Sequence, residues 1–245
     1  MRFRVAAVYL CLLFAPFGMF SLVWAFIYFA RAEYLSGLVA LGFGLFAGGF
    51  VVMLLVVAGK RTIPRATSDD AGTTFRPDFK VDGFLTISSV AVFFGMLVYA
   101  IFAPQGMLVI PVPSGNQRQY VYACIAGVLV GLPSMWQIVK QRGMSRLRMT
   151  TKGIEVGGAV STKRHTWDEL TDIADRPRNG HRSTGTTYIM TANGHTRTLP
   201  SDWYTPGGRV LRELVQFYWE HPEARAELVD GRAESRFKAE CRGTT

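Results

Sequence analysis

The stretch LSGLVALGFGLFAGGFVVMLLVVA, residues 35–58, decides the class of fold, because it carries no charged residue and is long enough to cross a membrane as one helix. A helix needs about 20 predominantly apolar residues to cross roughly 30 Å of hydrocarbon. Residues 5–30, 84–103 and 120–139 share this character. The sequence therefore predicts a transmembrane domain of four helices over residues 1–140.

The first apolar run also allows interpretation as a signal peptide. Arg2 and Arg4 precede it, and residues 30–32 have the small-x-small form of a cleavage site. The apolar part of a signal peptide is usually about 7–15 residues long, and residues 5–30 are well beyond that length. We expect an uncleaved anchor.

Lysine and arginine are distributed unevenly around the four predicted spans. In short loops these residues concentrate on the cytoplasmic side of a membrane. One side carries only Arg31 and Arg118, and the other carries Arg2, Arg4, Lys60, Arg61, Arg65, Arg76, Lys80, Lys140, Arg142, Arg146 and Arg148. The pattern predicts a multi-pass protein of the cell (inner) membrane with both termini in the cytoplasm.

Small residues recur at intervals of four in two of the spans. Such spacing lines one helix face with small side chains and lets another backbone approach closely. Two interpretations stay open, packing within the four-helix bundle and homodimerisation through Gly44 and Gly48. The predicted helix-packing residues are Ser36, Ala40, Gly44, Gly48, Ala123, Gly127 and Gly131.

No pattern in the chain points to catalysis or to a bound cofactor. The three cysteines, Cys11, Cys124 and Cys241, are far apart in sequence and form no CxxC pair. The four histidines have no metal-ligand spacing, and no serine or cysteine has the surroundings of a nucleophile. We expect no enzyme, no cofactor and no metal. The net charge of +9 forms no basic stripe with interleaved aromatics, which argues against nucleic acid as a partner.

A component of a transporter or channel is the alternative function for a four-span protein. Transport of ions or charged substrates usually requires ionisable side chains inside the spans, and the predicted spans contain none. The aromatic residues near the span ends are expected to act as interfacial anchors rather than as a ligand cage. They are Trp24, Tyr28, Tyr34, Tyr120 and Trp136.

The region after the spans predicts a cytoplasmic α+β domain over residues 145–230. Hairpins are expected around residues 151–153 and around Asn193-Gly194, a pair suited to a two-residue turn. Residues 205–220 then have the spacing of an amphipathic helix. The domain is expected to fold without the spans, residues 231–245 are expected to be a frayed tail, and residues 59–83 are expected to be a flexible connector.

The tail resembles the pleckstrin-homology-like domains of uncharacterised small bacterial membrane proteins. The resemblance rests on Leu147-Arg-Met-Thr-Thr-Lys-Gly-Ile154, on the later Thr166-Trp-Asp-Glu-Leu170, and on a hairpin followed by a terminal helix. It implies a small antiparallel β-barrel or sandwich of about seven strands, capped by the C-terminal helix. Only six strands can be placed from the sequence.

A cluster of basic residues follows the fourth span directly. Near anionic lipid each would contribute roughly 1 kcal/mol of attraction, but the same residues would also retain the tail in the cytoplasm during insertion. We expect a scaffold or accessory subunit whose partners are anionic lipid of the inner leaflet, another protein or a second copy. The predicted headgroup site comprises Lys140, Arg142, Arg146, Arg148 and Lys152. A second basic loop further along the chain holds Arg176, Arg178, His181 and Arg182.

Overall fold

The computed structural model describes residues 2–112, 115–176 and 185–243, with the backbone alone for residues 2–4. Part of the second basic loop lies outside the described residues, namely Arg178, Asn179, Gly180, His181 and Arg182. The chain divides into two compact units. One contains residues 5–55 and 83–142, and the other contains residues 56–82 and the chain from Gly143 onward.

Four helices in the described part of the chain are long and apolar enough to cross a membrane, which confirms the four predicted spans. Each is uninterrupted by charge except within its terminal turns, so the chain has the make-up of a multi-pass membrane protein. The helices are α1 (Arg2–Ala30), α2 (Tyr34–Ala58), α3 (Phe79–Phe102) and α4 (Gln117–Gln141).

The predicted flexible connector between α2 and α3 is a β-hairpin. Strand β1 (Arg65–Asp69) pairs antiparallel with β2 (Gly72–Arg76). The hairpin is ordered because β2 continues the pairing into the tail and because Phe75 is fully buried in the core. Residues 59–83 were assigned to the transmembrane domain from sequence, and most of them belong instead to the second compact unit.

The tail contributes six strands, as the sequence predicts. They are β3 (Arg146–Thr150), β4 (Gly153–Gly157), β5 (Thr162–Thr166), β6 (Leu170–Ala174), β7 (Thr187–Thr191) and β8 (Thr196–Leu199). One antiparallel sheet has the order β1-β2-β3-β4-β5 and a second has the order β6-β7-β8. Across the described residues the strands pair only within these two sheets, so they do not form a closed barrel.

Two helices complete the second unit. A short 3-10 turn at Pro206–Gly208 leads into α5 (Arg209–Glu220), which ends before Pro222 as predicted. α5 buries Val210, Leu211, Leu214, Val215 and Tyr218. The core that these residues share includes apolar side chains from both sheets, because each sheet turns its alternate apolar positions towards it.

Residues 232–243 form α6 (Arg232–Gly243), which corrects the prediction of a frayed tail. Ala233 and Phe237 are fully buried, and the ring of Phe237 meets that of Phe75 edge-on with centroids 4.9 Å apart. Arg236 donates hydrogen bonds to both carboxylate oxygens of Glu227 at 2.9 and 3.0 Å. The segment has few apolar residues, and Phe237 packs on Phe75, which lies far away in sequence. The local pattern of apolar residues alone therefore predicts fraying.

We predict that residues 145–230 do not fold on their own. This fragment lacks β2, which leaves β3 unpaired along one edge, and it lacks both Phe75 and Phe237. Removing one such buried aromatic side chain costs about 3–5 kcal/mol, and total stability is about 5–15 kcal/mol. Circular dichroism and urea titration should show no cooperative transition.

A spliced chain should fold instead. The amide of Met144 donates to Asp82 Oδ1 at 2.7 Å, so a short Gly-Ser linker can replace residues 83–142 and join 59–82 to 143–243. We expect cooperative unfolding and a mixed strand and helix spectrum. Phe237→Ala in the spliced chain is the matched test of α6 and should lower the urea midpoint. Equal stability of the 145–230 fragment and the spliced chain would contradict the contribution of β2 and α6.

Candidate functional site

The outer face of the five-stranded sheet is rich in arginine. Side chains alternate between the two faces of a strand, and Phe75, Leu147, Met149 and Ile154 occupy the core side. The intervening positions therefore point away from the core. We call this surface the arginine face, and its arginines are Arg65, Arg76, Arg146, Arg148 and Arg164.

Strand register brings these residues into rows. Thr74 lies opposite Arg148, Arg148 lies opposite Glu155, and Glu155 lies opposite Arg164. Residues directly opposite on antiparallel strands share a face and are close enough to interact. The arginine face is thus assembled from the α2–α3 segment and the tail together.

Carboxylates partly neutralise the arginine face. Glu155, on β4, forms ion pairs with Arg146 and with Arg164 Nε, the latter at 2.9 Å. Asp69 accepts two hydrogen bonds from Arg148 Nη2, at 2.6 and 2.7 Å. Asp82 adds a third carboxylate, because it interacts electrostatically with Arg65 and Arg76. Five arginines and three carboxylates leave an excess of positive charge on this surface.

Arg146 and Arg148 each have one unused donor. Their side chains are 25% exposed, and within the described residues the Nε of each is buried without a hydrogen-bond partner. A buried donor without a partner is unfavourable by about 1–3 kcal/mol.

The five residues of the predicted headgroup site lie in different settings. Lys140 and Arg142 are exposed at the end of α4, and Lys152 is exposed in the turn between β3 and β4. Arg146 and Arg148 lie on the arginine face in ion pairs. Sequence reasoning located these two arginines but missed Arg65, Arg76, Asp69, Glu155 and Arg164. The alternation Arg65-x-Thr67-x-Asp69 was the available indication, and a single large apolar residue in the hairpin, Phe75, made it too weak to recognise.

The small residues predicted for helix packing meet different neighbours within the four-helix unit. A side chain at Gly44 would meet Leu22 of α1, and side chains at Gly127 and Gly131 would meet Met96 and Phe93 of α3. Three others behave differently: Ser36 is buried and accepts a hydrogen bond from the amide of Val109, Gly48 has nothing within 4 Å of its missing Cβ, and Ala123 is exposed.

Among the glycines of α2, the closest approach to backbone atoms of α3 lies at a glycine outside the predicted set. An added Cβ at Gly42 would lie 2.7 Å from the carbonyl oxygen of Ala91 and 3.0 Å from Cα of Gly95. Contacts this short involve backbone atoms, which cannot rotate away. The interval of four residues picked out one face of α2, whereas the contact of Gly42 with α3 uses the opposite face.

Asp202 is the most perturbed acid of the second unit. It is 8% exposed, and its carboxylate oxygen would lie 2.4 Å from a Cβ at Gly185, a position with φ of +88° that favours glycine. Burial raises the pKa of Asp202 to about 7, although backbone N–H donors, that of Trp203 among them, act in the opposite direction. The described surroundings give it no catalytic partner, so we interpret it as a structural group.

Comparison with known proteins gives the chain no relative. No family model, curated protein or solved structure matches it. The described residues also contain no group of three or more histidine, cysteine, aspartate or glutamate side chains placed to hold a metal ion. Function must therefore be argued from the geometry above.

We predict that Gly42→Ala destabilises the four-helix unit and that Gly48→Ala does not. The first adds a methyl group against the backbone of α3, and overpacking of this kind costs about 1–3 kcal/mol. The second adds it to open space. Thermal unfolding of the purified protein in detergent should show a lower midpoint for Gly42→Ala alone. Equal loss in both variants would contradict the assigned contact, and loss of a cross-linked dimer in Gly48→Ala would favour homodimerisation through that face.

We also predict that Asp202 makes the second unit less stable as the pH rises. Its pKa is raised from 3.8 to about 7, so unfolding releases a proton between these values and the free energy of unfolding falls across that window. Below pH 3.8 burial of Asp202 does not lower the free energy of unfolding, and above about pH 7 this penalty is complete. Asp202→Asn should remove it, giving a gain over the parent that is small at pH 4 and grows to a few kcal/mol at pH 8, since one pKa unit corresponds to about 1.4 kcal/mol.

Urea titrations of parent and variant at both pH values measure this difference. Subtracting the free energy of unfolding of the parent from that of the variant cancels the contributions of the other titrating groups. One of these groups is Glu227, whose pKa the Arg236 guanidinium lowers. A difference that is the same at pH 4 and pH 8 would show that Asp202 does not carry the effect.

Proposed function

We propose that the protein is a non-enzymatic, multi-pass protein of the cell membrane that presents a cytoplasmic pleckstrin-homology-like module for binding. As a scaffold or accessory subunit it would recognise an anionic group on another protein or on a lipid headgroup. The observation that carries this proposal is the arginine face, a fixed array of guanidinium groups on an ordered domain.

The strand arrangement supports the pleckstrin-homology-like interpretation. β2 to β5 form four consecutive antiparallel strands, β6 to β8 form three more, and α5 follows. The seventh strand that the tail could not supply is β2, which comes from the segment between α2 and α3. The Thr166–Leu170 motif forms the 3-10 turn between the sheets, where buried Trp167 donates its indole N–H to the carbonyl of Thr150 at 2.9 Å.

The assignment of the module to the cytoplasm rests on the charge distribution, and the strand pairing adds that the α2–α3 segment and the tail share one side of the membrane. The charge distribution favours the cytoplasm for the α2–α3 segment and the tail. Independently, β2 pairs with β3, and this pairing requires the two segments to be on the same side of the membrane. An even number of crossings between them, supplied by α3 and α4, satisfies that requirement.

The chemistry of the arginine face favours a discrete anionic ligand. Guanidinium groups bind carboxylate and phosphate in a bidentate manner, and a single nitrogen of Arg148, Nη2, already contacts both carboxylate oxygens of Asp69. Exposed ion pairs stabilise a fold by only about 0–1 kcal/mol, so a ligand can exchange with Asp69, whose side chain is 57% exposed, at little cost. For the transporter or channel alternative we see no such support, since charged side chains in the described spans occur only in terminal turns.

The test is affinity purification of the tagged full-length protein from native membranes, with protein and lipid partners identified together. Arg148→Gln and Arg164→Gln should each reduce the retained partner roughly tenfold or more, because a hydrogen bond to a charged group is worth about 1.5–3 kcal/mol. Glu155→Gln should increase retention, since it releases Arg146 and Arg164 from their common acid.

Lys163→Gln is the matched control. Lys163 is exposed and neighbours Arg164 on β5, but strand alternation places it on the opposite face. Loss of a protein with unchanged lipid content would identify a protein partner, and loss of anionic lipid alone would identify headgroups. Equal retention in the parent, Arg148→Gln, Arg164→Gln and Lys163→Gln would refute the proposal.

A further inference from the structure

A large cavity lies within the four-helix unit, apart from the arginine face. Its volume is about 590 Å³ and its walls are mainly apolar and aromatic. Along α1 the walls run from Phe17 to Tyr28, and α2 contributes Ala40, α3 contributes Tyr99 and α4 contributes Cys124. Known small-molecule sites have volumes of about 300–1,000 Å³ and a similar apolar character.

The segment after α3 closes one end of this cavity. Residues 110–112 line it, and the preceding residue is fixed by two hydrogen bonds. The amide of Val109 donates to Ser36 Oγ at 2.9 Å, and Tyr28 Oη donates to the carbonyl of Val109 at 3.3 Å. This closed end is where α1 and α3 end and where α2 and α4 begin, so it lies at one surface of the membrane.

The cavity has the length of one lipid leaflet. Phe17 and Tyr28 are eleven positions apart on α1, which corresponds to about 17 Å along the helix axis. The hydrocarbon core of a bilayer is about 30 Å thick, so one leaflet contributes about half of that. The cavity therefore extends from the membrane surface to near the midplane.

Its volume selects a narrow occupant. Spread over about 17 Å of length, 590 Å³ gives a mean cross-section of about 35 Å². A transmembrane helix with a diameter of about 10 Å has a cross-section of about 80 Å², which is too large. An extended hydrocarbon chain fits.

We propose that this cavity binds an acyl chain of a membrane lipid from the leaflet on the side of the α1–α2 and α3–α4 loops. The aromatic walls contact the chain along its length, and the space it fills would otherwise be a void without contacts for the lining side chains. Tyr99 and Tyr120 line the cavity near the end of α3 and the start of α4. Trp24, Tyr28 and Tyr120, which sequence analysis assigned as interfacial anchors, thus also form the walls of a ligand site.

The test measures phospholipid retained by the purified full-length protein after extensive washing in detergent. The parent should keep a stoichiometric lipid. Ala40→Phe places a ring inside the cavity and should reduce retention at least several-fold. Ala126→Phe adds the same ring at an exposed position of α4 that does not line the cavity, and it should retain lipid like the parent.

A second measurement leaves the cavity walls intact. In a Cys11→Ala, Cys241→Ala variant, Cys124 is the remaining cysteine, and it lines the cavity. After the retained lipid has been removed by exhaustive delipidation, addition of phosphatidylglycerol in detergent should slow the reaction of Cys124 with an alkyl maleimide several-fold. Retention in Ala40→Phe equal to that of the parent, or a Cys124 reaction rate that lipid does not change, would overturn the proposal. Conversion of a dimer to a monomer by Ala40→Phe, without loss of lipid, would overturn it in favour of a second copy as the occupant.

Discussion

The pairing of β2 with β3 is the interaction on which the second unit depends. Thr73, Thr74 and Phe75 lie opposite Met149, Arg148 and Leu147, so one ladder joins chain segments separated by two membrane-spanning helices. It gives β3 a partner on both sides, brings Phe75 into the core beside Phe237, and adds Arg65, Arg76 and Asp69 to the arginine face. Without it the sheet would end at β3, and both the apolar core and the charged surface would be incomplete.

The alternation of side chains along each strand gives the two faces of this sheet different roles. The inner positions supply the apolar contacts that stabilise the domain, and the outer positions hold guanidinium groups at fixed spacing. Glu155 forms ion pairs with both Arg146 and Arg164, which limits repulsion among the arginines. The four-helix unit shows an analogous division, in which glycines such as Gly42 allow close backbone contact while aromatic side chains leave a cavity at one end.

Local patterns in the sequence were sufficient to predict the spans and the six strands of the tail. Hydrophobic length identifies a span without knowledge of its neighbours. The hairpin of β7 and β8 is also set locally, but not by the predicted two-residue turn. Thr191 pairs with His195 across three residues, and of these three Gly194 has the positive φ, +76°. What could not be predicted depends on distant partners. β1 and β2 contain one large apolar residue, and α6 depends mainly on Phe237; each is ordered because Phe75 and Phe237 meet in the core. The arginine face could be predicted only in part, for the same reason. Arg146 and Arg148 lie in a hairpin that the local sequence predicts, whereas Asp69, the partner of Arg148, does not.

A domain built from two separated segments also has a fixed order of assembly. During synthesis the β1–β2 hairpin emerges first and has no strand to pair with until α3 and α4 have been made and β3 has followed. If either helix failed to cross the membrane, β3 would be delivered to the opposite side from β2, and Phe75 would stay exposed on an unpaired edge. Such an edge invites aggregation or degradation. Completion of the sheet therefore acts as a check on membrane topology, in which only correctly inserted chains acquire a folded domain.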